Sequence, residues 1–375
     1  MTNMTVNEAT KSLKKNKVPV IDCDLHANPH SNEDLLPYLS DYWRDFLVDS
    51  TWKGVILGSP PMAVVANAGH RVDAKTPEGG PGCSSISFFK EQVANPYNFA
   101  YAIIYPDGVF NLAASPQHEM ATALASAYND WQIEHWLEKD PMFRGSVVVA
   151  SQDPEGAARE IDRIGSHPQM VQVALSIRCP YGGWGNKRYE PIWEAALRNN
   201  LLINYHVSSP GGIFKCGFEA NSFAESQTNN GLTFQAAIAS LVFGGVPEKY
   251  PQLKFIFNEG GFGWVPNLMY TMDTHWKMLV REVPWVKRPP SQQVREQMWF
   301  GTQPMIDPDR PEDIKNVVAL AEMIGRDKIL FTSDYPHWTF DAPQVALAHF
   351  PKEFRNKILY QNAMELFGLP DPTIA

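Results

Sequence analysis

Closely spaced acids and a histidine stand near the start of the chain. Asp22, Asp24 and His26 alternate with apolar residues in a segment that begins at Val18. Because the side chains of a β-strand alternate between its two faces, a strand here places all three polar groups on one face. Burying them without a partner is costly, and one divalent cation would compensate the carboxylates and the imidazole together. The segment therefore predicts a metal site, with Asp22 in a structural role beneath it. The alternative is a pair of turn-capping acids beside a surface histidine.

Short apolar segments recur along the rest of the chain, and helical patterns separate most of them. The predicted strands cover residues 18–26, 99–105, 144–150, 170–177, 201–207, 253–259, 297–302 and 328–334. Strands and helices that alternate in this order are typical of a parallel (β/α)8 barrel, the TIM barrel. No linker interrupts the pattern, so we expect one barrel domain at residues 18–375 after an N-terminal tail at residues 1–17.

A long connection separates the first two predicted strands. Residues 52–96 contain the turn-forming sequences Gly-Ser-Pro-Pro at 58–61 and Pro-Glu-Gly-Gly-Pro-Gly at 77–82. Connections of this length in a compact domain usually serve as lids or binding loops. We therefore expect an irregular, lid-like insertion after the first strand.

Further polar residues fall where predicted strands end. His206 ends the fifth strand, Glu259 the sixth and Asp334 the eighth. In a (β/α)8 barrel all these ends meet at one rim, where the active sites of this fold are built. His337 follows Asp334 closely and lies near the same rim. The candidate metal ligands are therefore Asp24, His26, His206, Glu259, Asp334 and His337.

These residues lie in motifs that have a known counterpart. The motifs are Asp24-x-His26, Tyr205-His206-Val207, the segment 258–266 (Asn-Glu-Gly-Gly-Phe-Gly-Trp-Val-Pro) and the segment 332–337 (Thr-Ser-Asp-Tyr-Pro-His). Together they resemble the amidohydrolase superfamily, in particular the amidohydrolase 2 branch, which includes aminocarboxymuconate-semialdehyde decarboxylase and the resorcylate decarboxylases. The resemblance implies a divalent metal held by the first-strand pair, the fifth-strand histidine and the eighth-strand aspartate.

Two positions depart from the family pattern. The first motif of the family is usually His-x-His, and here its first member is Asp24. The sixth-strand residue is usually a histidine, and here it is Glu259. A ligand set this rich in carboxylates could fill two coordination spheres, and mixed oxygen and imidazole donors suit manganese or iron as well as zinc. We expect one or two divalent metals per chain: zinc, or iron or manganese if the site is dinuclear.

Three reactions fit such a site, with Asp334 and Glu259 as the catalytic residues. We expect hydrolysis of a small organic substrate by a metal-activated water first, with these carboxylates passing the proton on. A dinuclear iron or manganese oxygenase that hydroxylates a C–H bond comes second, since a few members of the branch are oxygenases. Decarboxylation comes third, because Glu259 replaces the histidine proposed to handle protons in the decarboxylases. A non-catalytic, metal-bearing scaffold subunit is a further alternative.

Candidate substrate contacts are less specific. Arg178 could bind a substrate carboxylate with two hydrogen bonds or brace a loop. Trp264 and Trp338 could line the pocket or pack in the core. His275 lies in a helical pattern and could equally be a surface residue.

Composition excludes several classes of partner. The net charge is −9 and no basic cluster extends beyond residues 11–17, which argues against nucleic-acid binding. The four cysteines are scattered, and no apolar run reaches the roughly 18–20 residues that span a bilayer. We therefore expect a cytoplasmic enzyme without membrane contact. By analogy with other barrels we also expect a homo-oligomer, or a hetero-oligomer with a related subunit.

Overall fold

The computed structural model describes residues 18–51, 69–107, 112–113, 115–179, 181–207 and 222–374. Each predicted apolar segment forms a strand, and the strands are short and largely buried. The strands are β1 (Val20–Leu25), β2 (Phe99–Ile104), β3 (Phe143–Val148), β4 (Met170–Ser176), β5 (Leu202–His206), β6 (Phe255–Asn258), β7 (Met298–Gly301) and β8 (Ile329–Leu330).

The strands form one parallel sheet in sequence order from β1 to β8. The Cys23 amide donates to the Phe331 carbonyl at 3.0 Å, and Leu25 forms a parallel bridge with Tyr335. The first strand thus contacts the chain that follows the last one, and the sheet closes. The predicted (β/α)8 barrel is confirmed.

Helices surround the sheet. The helices are α1 (Asp41–Asp49), α2 (Ile86–Phe89), α3 (Asn95–Tyr97), α4 (His118–Gln132), α5 (Pro154–Ile164), α6 (Glu190–Arg198), α7 (Phe223–Thr228), α8 (Asn230–Phe243), α9 (Val246–Lys249), α10 (Val265–Leu279), α11 (Pro290–Gln297), α12 (Ile314–Ile324), α13 (Pro343–Ala346), α14 (Lys352–Asn356) and α15 (Asn362–Phe367). Short 3-10 helices cover Asn32–Tyr38, Val72–Ala74, Lys187–Tyr189 and Pro311–Asp313, and π-helical turns cover Lys90–Ala94, Ile133–Leu137 and Lys357–Gln361. None of the described helices combines the length and apolar character needed to cross a bilayer.

Helix α5 shows how the sequence sets these elements. Asp153 caps its first turn, because its carboxylate accepts the Gly156 amide at 2.9 Å, and Pro154 occupies the first helical position. Ala157 and Ile161 are then buried one turn apart on one face. That spacing is the apolar stripe by which a helix packs onto a sheet.

The connection between β1 and β2 is more regular than predicted. Residues 86–97 are helical throughout, as α2, a π-helical turn and α3 follow one another without a break. The Ser85 hydroxyl caps the start, and Phe89 and Val93 are buried one turn apart. The expectation of an irregular segment was therefore wrong here, since this buried stripe outweighs the nearby turn-forming residues.

Two expectations stay predictions. Residues 52–68, the first part of the expected lid, and the tail at residues 1–17 lie outside the described residues. The lid role and the division into a tail and one domain are therefore not tested.

Candidate metal centre

The barrel brings four predicted ligands together at the rim. His206 ends β5, Asp24 and His26 lie at the end of β1, and Asp334 follows β8. One donor atom from each lies within 4.8 Å of the others, and all four side chains are buried. We call these four residues the central group. Their distances satisfy the expectation that acids and imidazoles distant in sequence meet at one point.

The histidines of the central group present the same nitrogen. Nδ1 of His26 lies 2.8 Å from the Tyr105 carbonyl, and Nδ1 of His206 lies 2.8 Å from the Val207 carbonyl. Because a carbonyl only accepts hydrogen bonds, the neutral form of each imidazole carries its proton on Nδ1 and offers Nε2 as the ligand atom. Those Nε2 atoms face carboxylates of the group. A hydrogen bond from the other ring nitrogen to a carbonyl is the contact that commonly orients a metal-binding histidine.

The donor set suits a divalent cation. Nε2 of His26 lies 3.2 Å from Asp334 Oδ1, and Nε2 of His206 lies 3.4 Å from Asp24 Oδ2. Both carboxylate oxygens of Asp24 are buried, yet they accept no hydrogen bond from any described residue. A buried carboxylate is costly unless it is paired or binds a metal. Two carboxylates and two imidazoles match the donor preferences of manganese, iron and zinc.

Asp334 is held firmly in place. Its Oδ2 accepts hydrogen bonds from the Gln303 amide at 2.8 Å and from the Thr339 hydroxyl, and its Oδ1 lies 2.6 Å from His337 Nδ1. Its backbone has a φ of 60°, and that of Glu259 has a φ of 63°. Non-glycine residues in this left-handed region are strained and cluster at functional sites. Both residues predicted to be catalytic are thus among the six described non-glycine residues with this backbone conformation.

Glu259 lies beside the central group. Its Oε2 is 3.5 Å from His206 Nδ1, and its Oε1 accepts a hydrogen bond from Gln227 at 3.4 Å. Burial, reinforced by the negative charge of Asp334, raises the pKa of Glu259 to about 7. A carboxyl group with this pKa holds a proton over part of the neutral range and can donate it.

Neighbouring carboxylates raise the pKa values of His206 and His337 and favour their charged forms in the metal-free protein. Burial acts to lower the pKa of His206, but Asp24 and Glu259 outweigh it and raise that pKa to about 9. Likewise Asp334 and Asp107 outweigh burial at His337 and raise its pKa to about 10. Metal binding at such histidines must displace protons, so it is favoured by rising pH.

A second set of donors adjoins the first. Asp107 Oδ2 lies 2.7 Å from His70 Nε2, and Asp107 Oδ1 lies 3.6 Å from His337 Nε2. We call His70, Asp107 and His337 the outer group. Only His337 was predicted. Asp107 stands just beyond the end of β2, so the strand-end rule could have found it, whereas nothing in the sequence around His70 indicates its place at the rim.

Asp22 has the structural role predicted for it. Its Oδ1 accepts the amides of Ser333 at 2.8 Å and Asp24 at 3.2 Å, and its Oδ2 lies 2.6 Å from the Ser333 hydroxyl. These bonds tie β1 to the residue before Asp334. Two members of the central group are thereby held relative to each other.

The predicted substrate contacts are dispersed. Trp264 is half-buried, donates to the Gly260 carbonyl at 2.7 Å and stacks on Phe234. Trp338 is 48% exposed and adjoins a cavity of about 510 Å³ lined by rim residues, namely Arg71, Val72, Asp73, Trp338 and Phe340. Arg178 and His275 are exposed, and no ion pair found among the described residues links either to the two donor groups. Their substrate roles stay predictions.

Comparison with known proteins gives decarboxylase relatives. The chain is 23% identical over 283 residues to the gamma-resorcylate decarboxylase of Rhodococcus jostii, covering 68% of this chain and 80% of that protein. It is 24% identical over 265 residues to the gamma-resorcylate decarboxylase of a Polaromonas species, covering 66% and 77%.

Solved structures share the fold. A manganese-bound 5-carboxyvanillate decarboxylase of Novosphingobium aromaticivorans superposes with a TM-score of 0.68 at 16% identity, covering 95% of this chain and 98% of that chain. An amidohydrolase of Mycobacterium avium subsp. paratuberculosis superposes with a TM-score of 0.70 at 19% identity, covering 94% and 100%. The family model for amidohydrolases (Amidohydro_2) matches residues 21–369, nearly the whole chain. The chain therefore belongs to the amidohydrolase family, as its rim motifs predicted.

Proposed function

We propose that this protein is a metal-dependent carboxy-lyase that removes carbon dioxide from a small aromatic acid, with one divalent cation held by the central group. Both sequence relatives and one of the two solved structures named above are decarboxylases, and that structure holds manganese, so decarboxylation ranks ahead of the hydrolysis that the sequence favoured. The observation that carries the proposal is the place of Glu259. It lies beside the central group, and its pKa of about 7 lets it hold a proton.

The raised pKa of Glu259 removes the reason why the sequence placed decarboxylation third. Decarboxylation needs an acid that protonates carbon, and Glu259 stands where the family usually has a histidine. A carboxylic acid with an ordinary pKa would be deprotonated at neutral pH. Burial changes that, because it disfavours the charged form of Glu259.

The proposed reaction balances with one proton. The bond between the substrate carbon and its carboxylate breaks, its electron pair stays on carbon, and carbon dioxide leaves. Glu259 gives its proton to that carbon and regains one from water. A bound divalent cation would hold and neutralise an oxygen of the substrate. Asp334, fixed by Gln303 and Thr339, would keep the central group aligned.

The test uses manganese-loaded protein and a panel of hydroxylated benzoates, the class to which the relatives' substrates belong. We expect carbon dioxide release from at least one member. Replacing Glu259 by Gln should lower turnover at least about 100-fold, at the low end for loss of a general acid, with manganese content unchanged. Glu225→Gln is the matched control. If Glu259→Gln retains full turnover, the assignment of the proton donor is wrong.

A dinuclear oxygenase is the second candidate, and the outer group favours it. Such a reaction inserts one oxygen atom of dioxygen into a C–H bond and reduces the other to water, with two electrons and two protons from an added reductant. Turnover of the same panel with iron- or manganese-loaded protein separates the two. Decarboxylation proceeds without oxygen, whereas hydroxylation stops under anaerobic conditions. A protein that binds metal but turns over nothing would favour the scaffold alternative.

A further inference from the structure

We propose that the outer group, His70, Asp107 and His337, binds a second divalent cation next to the central group. The inference rests on the proposed function only in assigning the first cation to the central group. It gives a role to rim donors that the single-cation reaction leaves unused.

Asp107 lies close enough to both histidines of the outer group to share an ion with them. Ligand atoms that each lie about 2.0–2.2 Å from a cation are about 2.8–3.6 Å apart in octahedral or tetrahedral sites. Asp107 Oδ1 and His337 Nε2 are 3.6 Å apart, at the upper end of this range, and Asp107 Oδ2 and His70 Nε2 are 2.7 Å apart, just below its lower end. His26, Asp107 and His337 also offer ligand atoms that all lie within 4.8 Å of one another.

The donors are also oriented for it. His337 Nδ1 lies 2.6 Å from Asp334 Oδ1, and a carboxylate only accepts, so the neutral imidazole keeps its proton on Nδ1 and presents Nε2 to Asp107. Asp107 Oδ1 is buried and accepts no hydrogen bond from the part of the chain that the structure describes. Nε2 of His337 and Oδ1 of Asp107 need a positive charge between them, which a proton supplies in the metal-free protein and a bound cation would supply in its place. A carboxylate–histidine pair behind the ligand, as formed by Asp334 and His337, is the usual support of a metal-binding imidazole.

Asp107 is fixed from behind as well. Its Oδ2 accepts a hydrogen bond from the Asn28 amide at 3.0 Å. Asn28 Nδ2 also lies 3.1 Å from the Gly82 carbonyl, so the connection between β1 and β2 holds this support in position. Asn28 therefore holds the Asp107 carboxylate in place between His70 and His337.

The central and outer groups contact each other through Asp334 and His26. Asp334 Oδ1 faces both His26 Nε2 at 3.2 Å and His337 Nδ1, and His26 Nδ1 lies 3.2 Å from Asp107 Oδ1. The rings of His26 and His337 are 4.7 Å apart between centroids. Ions held on either side would therefore be close neighbours, as in two-metal sites, whose ions are about 3.5–4 Å apart. Mixed imidazole and carboxylate donors select manganese, iron or zinc.

The experiment counts manganese on the full chain. Apo-protein is titrated with Mn²⁺ alone, bound metal is measured by elemental analysis after gel filtration, and electron paramagnetic resonance reports whether the ions interact. We expect two ions per chain with a spin-coupled spectrum. Asp107→Asn should bind one ion and show the signal of isolated Mn²⁺. Asp73→Asn, an exposed acid on the neighbouring connection, should still bind two.

The outcomes separate this inference from the proposed function. One ion per wild-type chain, or two coupled ions retained in Asp107→Asn, would overturn the second site even if decarboxylation is found. Two coupled ions reduced to one in the variant would uphold it even if no benzoate is decarboxylated. Should Asp107→Asn fail to fold, His70→Gln serves as the second variant. If both variants fail to fold, the number of manganese ions per wild-type chain and the paramagnetic resonance spectrum of the wild type decide.

Discussion

The central and outer groups differ in what holds their donors. Asp24, His26 and His206 lie at strand ends, and their side chains are at most 1% exposed. Asp107 and His337 lie on connections beyond the strands and are each 18% exposed. Strand ends are fixed by the hydrogen bonds of the sheet, whereas connections depend on contacts between loops. A cation in the outer group should therefore exchange faster and bind less tightly than one in the central group.

The largest expected effect comes from removing a central ligand. His206→Ala should weaken manganese binding at the central group more than about 100-fold, beyond the range for residues that only support a ligand, and should abolish turnover. His349→Ala, an exposed histidine, is the control. Manganese titration of both variants measures the effect. A loss of less than about ten-fold would show that His206 is not a ligand.

The second largest effect concerns Asp22, which lies beneath the central group, and the dependence of protein stability on pH. Burial raises the pKa of Asp22 to about 7, against the opposing hydrogen bonds from Ser333. A carboxyl whose pKa is higher in the folded than in the unfolded state stabilises the fold below its unfolded pKa of about 4. That contribution is lost as the pH rises through about 7.

Urea unfolding of metal-free protein between pH 4 and pH 8 tests this. We expect the free energy of unfolding to contain a term that declines by a few kcal/mol, at about 1.4 kcal/mol per pKa unit, as the pH rises. Asp22→Asn should remove this decline, because the amide does not titrate. An unchanged pH profile in Asp22→Asn would contradict the assignment.

The supporting amides distinguish the two groups. Gln303 donates to Asp334 of the central group, and Asn28 donates to Asp107 of the outer group. Gln303→Ala should lower central manganese affinity about 10–100-fold, and Asn28→Ala should do the same for the outer ion alone. Titrations followed by paramagnetic resonance measure both affinities. If the two variants weakened the same ion equally, the division into two groups would be untenable.

The smallest effect is expected at the exposed tryptophan. Trp338 follows His337 and contacts the Phe223 ring edge-on. A contact between the Trp338 ring and an aromatic substrate would contribute about 0.5–1.5 kcal/mol, so Trp338→Ala should raise KM about 2–12-fold with kcat unchanged. His275→Ala, on the exposed side of α10, should change neither by more than about two-fold. Steady-state kinetics on the best benzoate would test both, and a loss of kcat in His275→Ala would contradict its placement.

The sequence by itself determined the strands, the barrel and the positions of the central donors. Alternating apolar residues mark the strands, and the carboxyl ends of parallel strands meet at one rim. Asp24, His26, His206 and Asp334 could therefore be placed together without any structure. The same rule would have reached Asp107, which stands just beyond β2.

The tertiary structure alone decided the place of His70 and the helical path of residues 86–97. His70 is held at the rim by an antiparallel backbone bridge to His337. The backbone amide of Arg71 also donates to the Pro336 carbonyl at 2.9 Å. The tertiary structure also moved the pKa of Glu259, which depends on burial and on Asp334 rather than on its neighbours in the chain. Periodicity records which face of an element is buried, but contacts between distant loops leave no local pattern, so their consequences appear only in the folded chain.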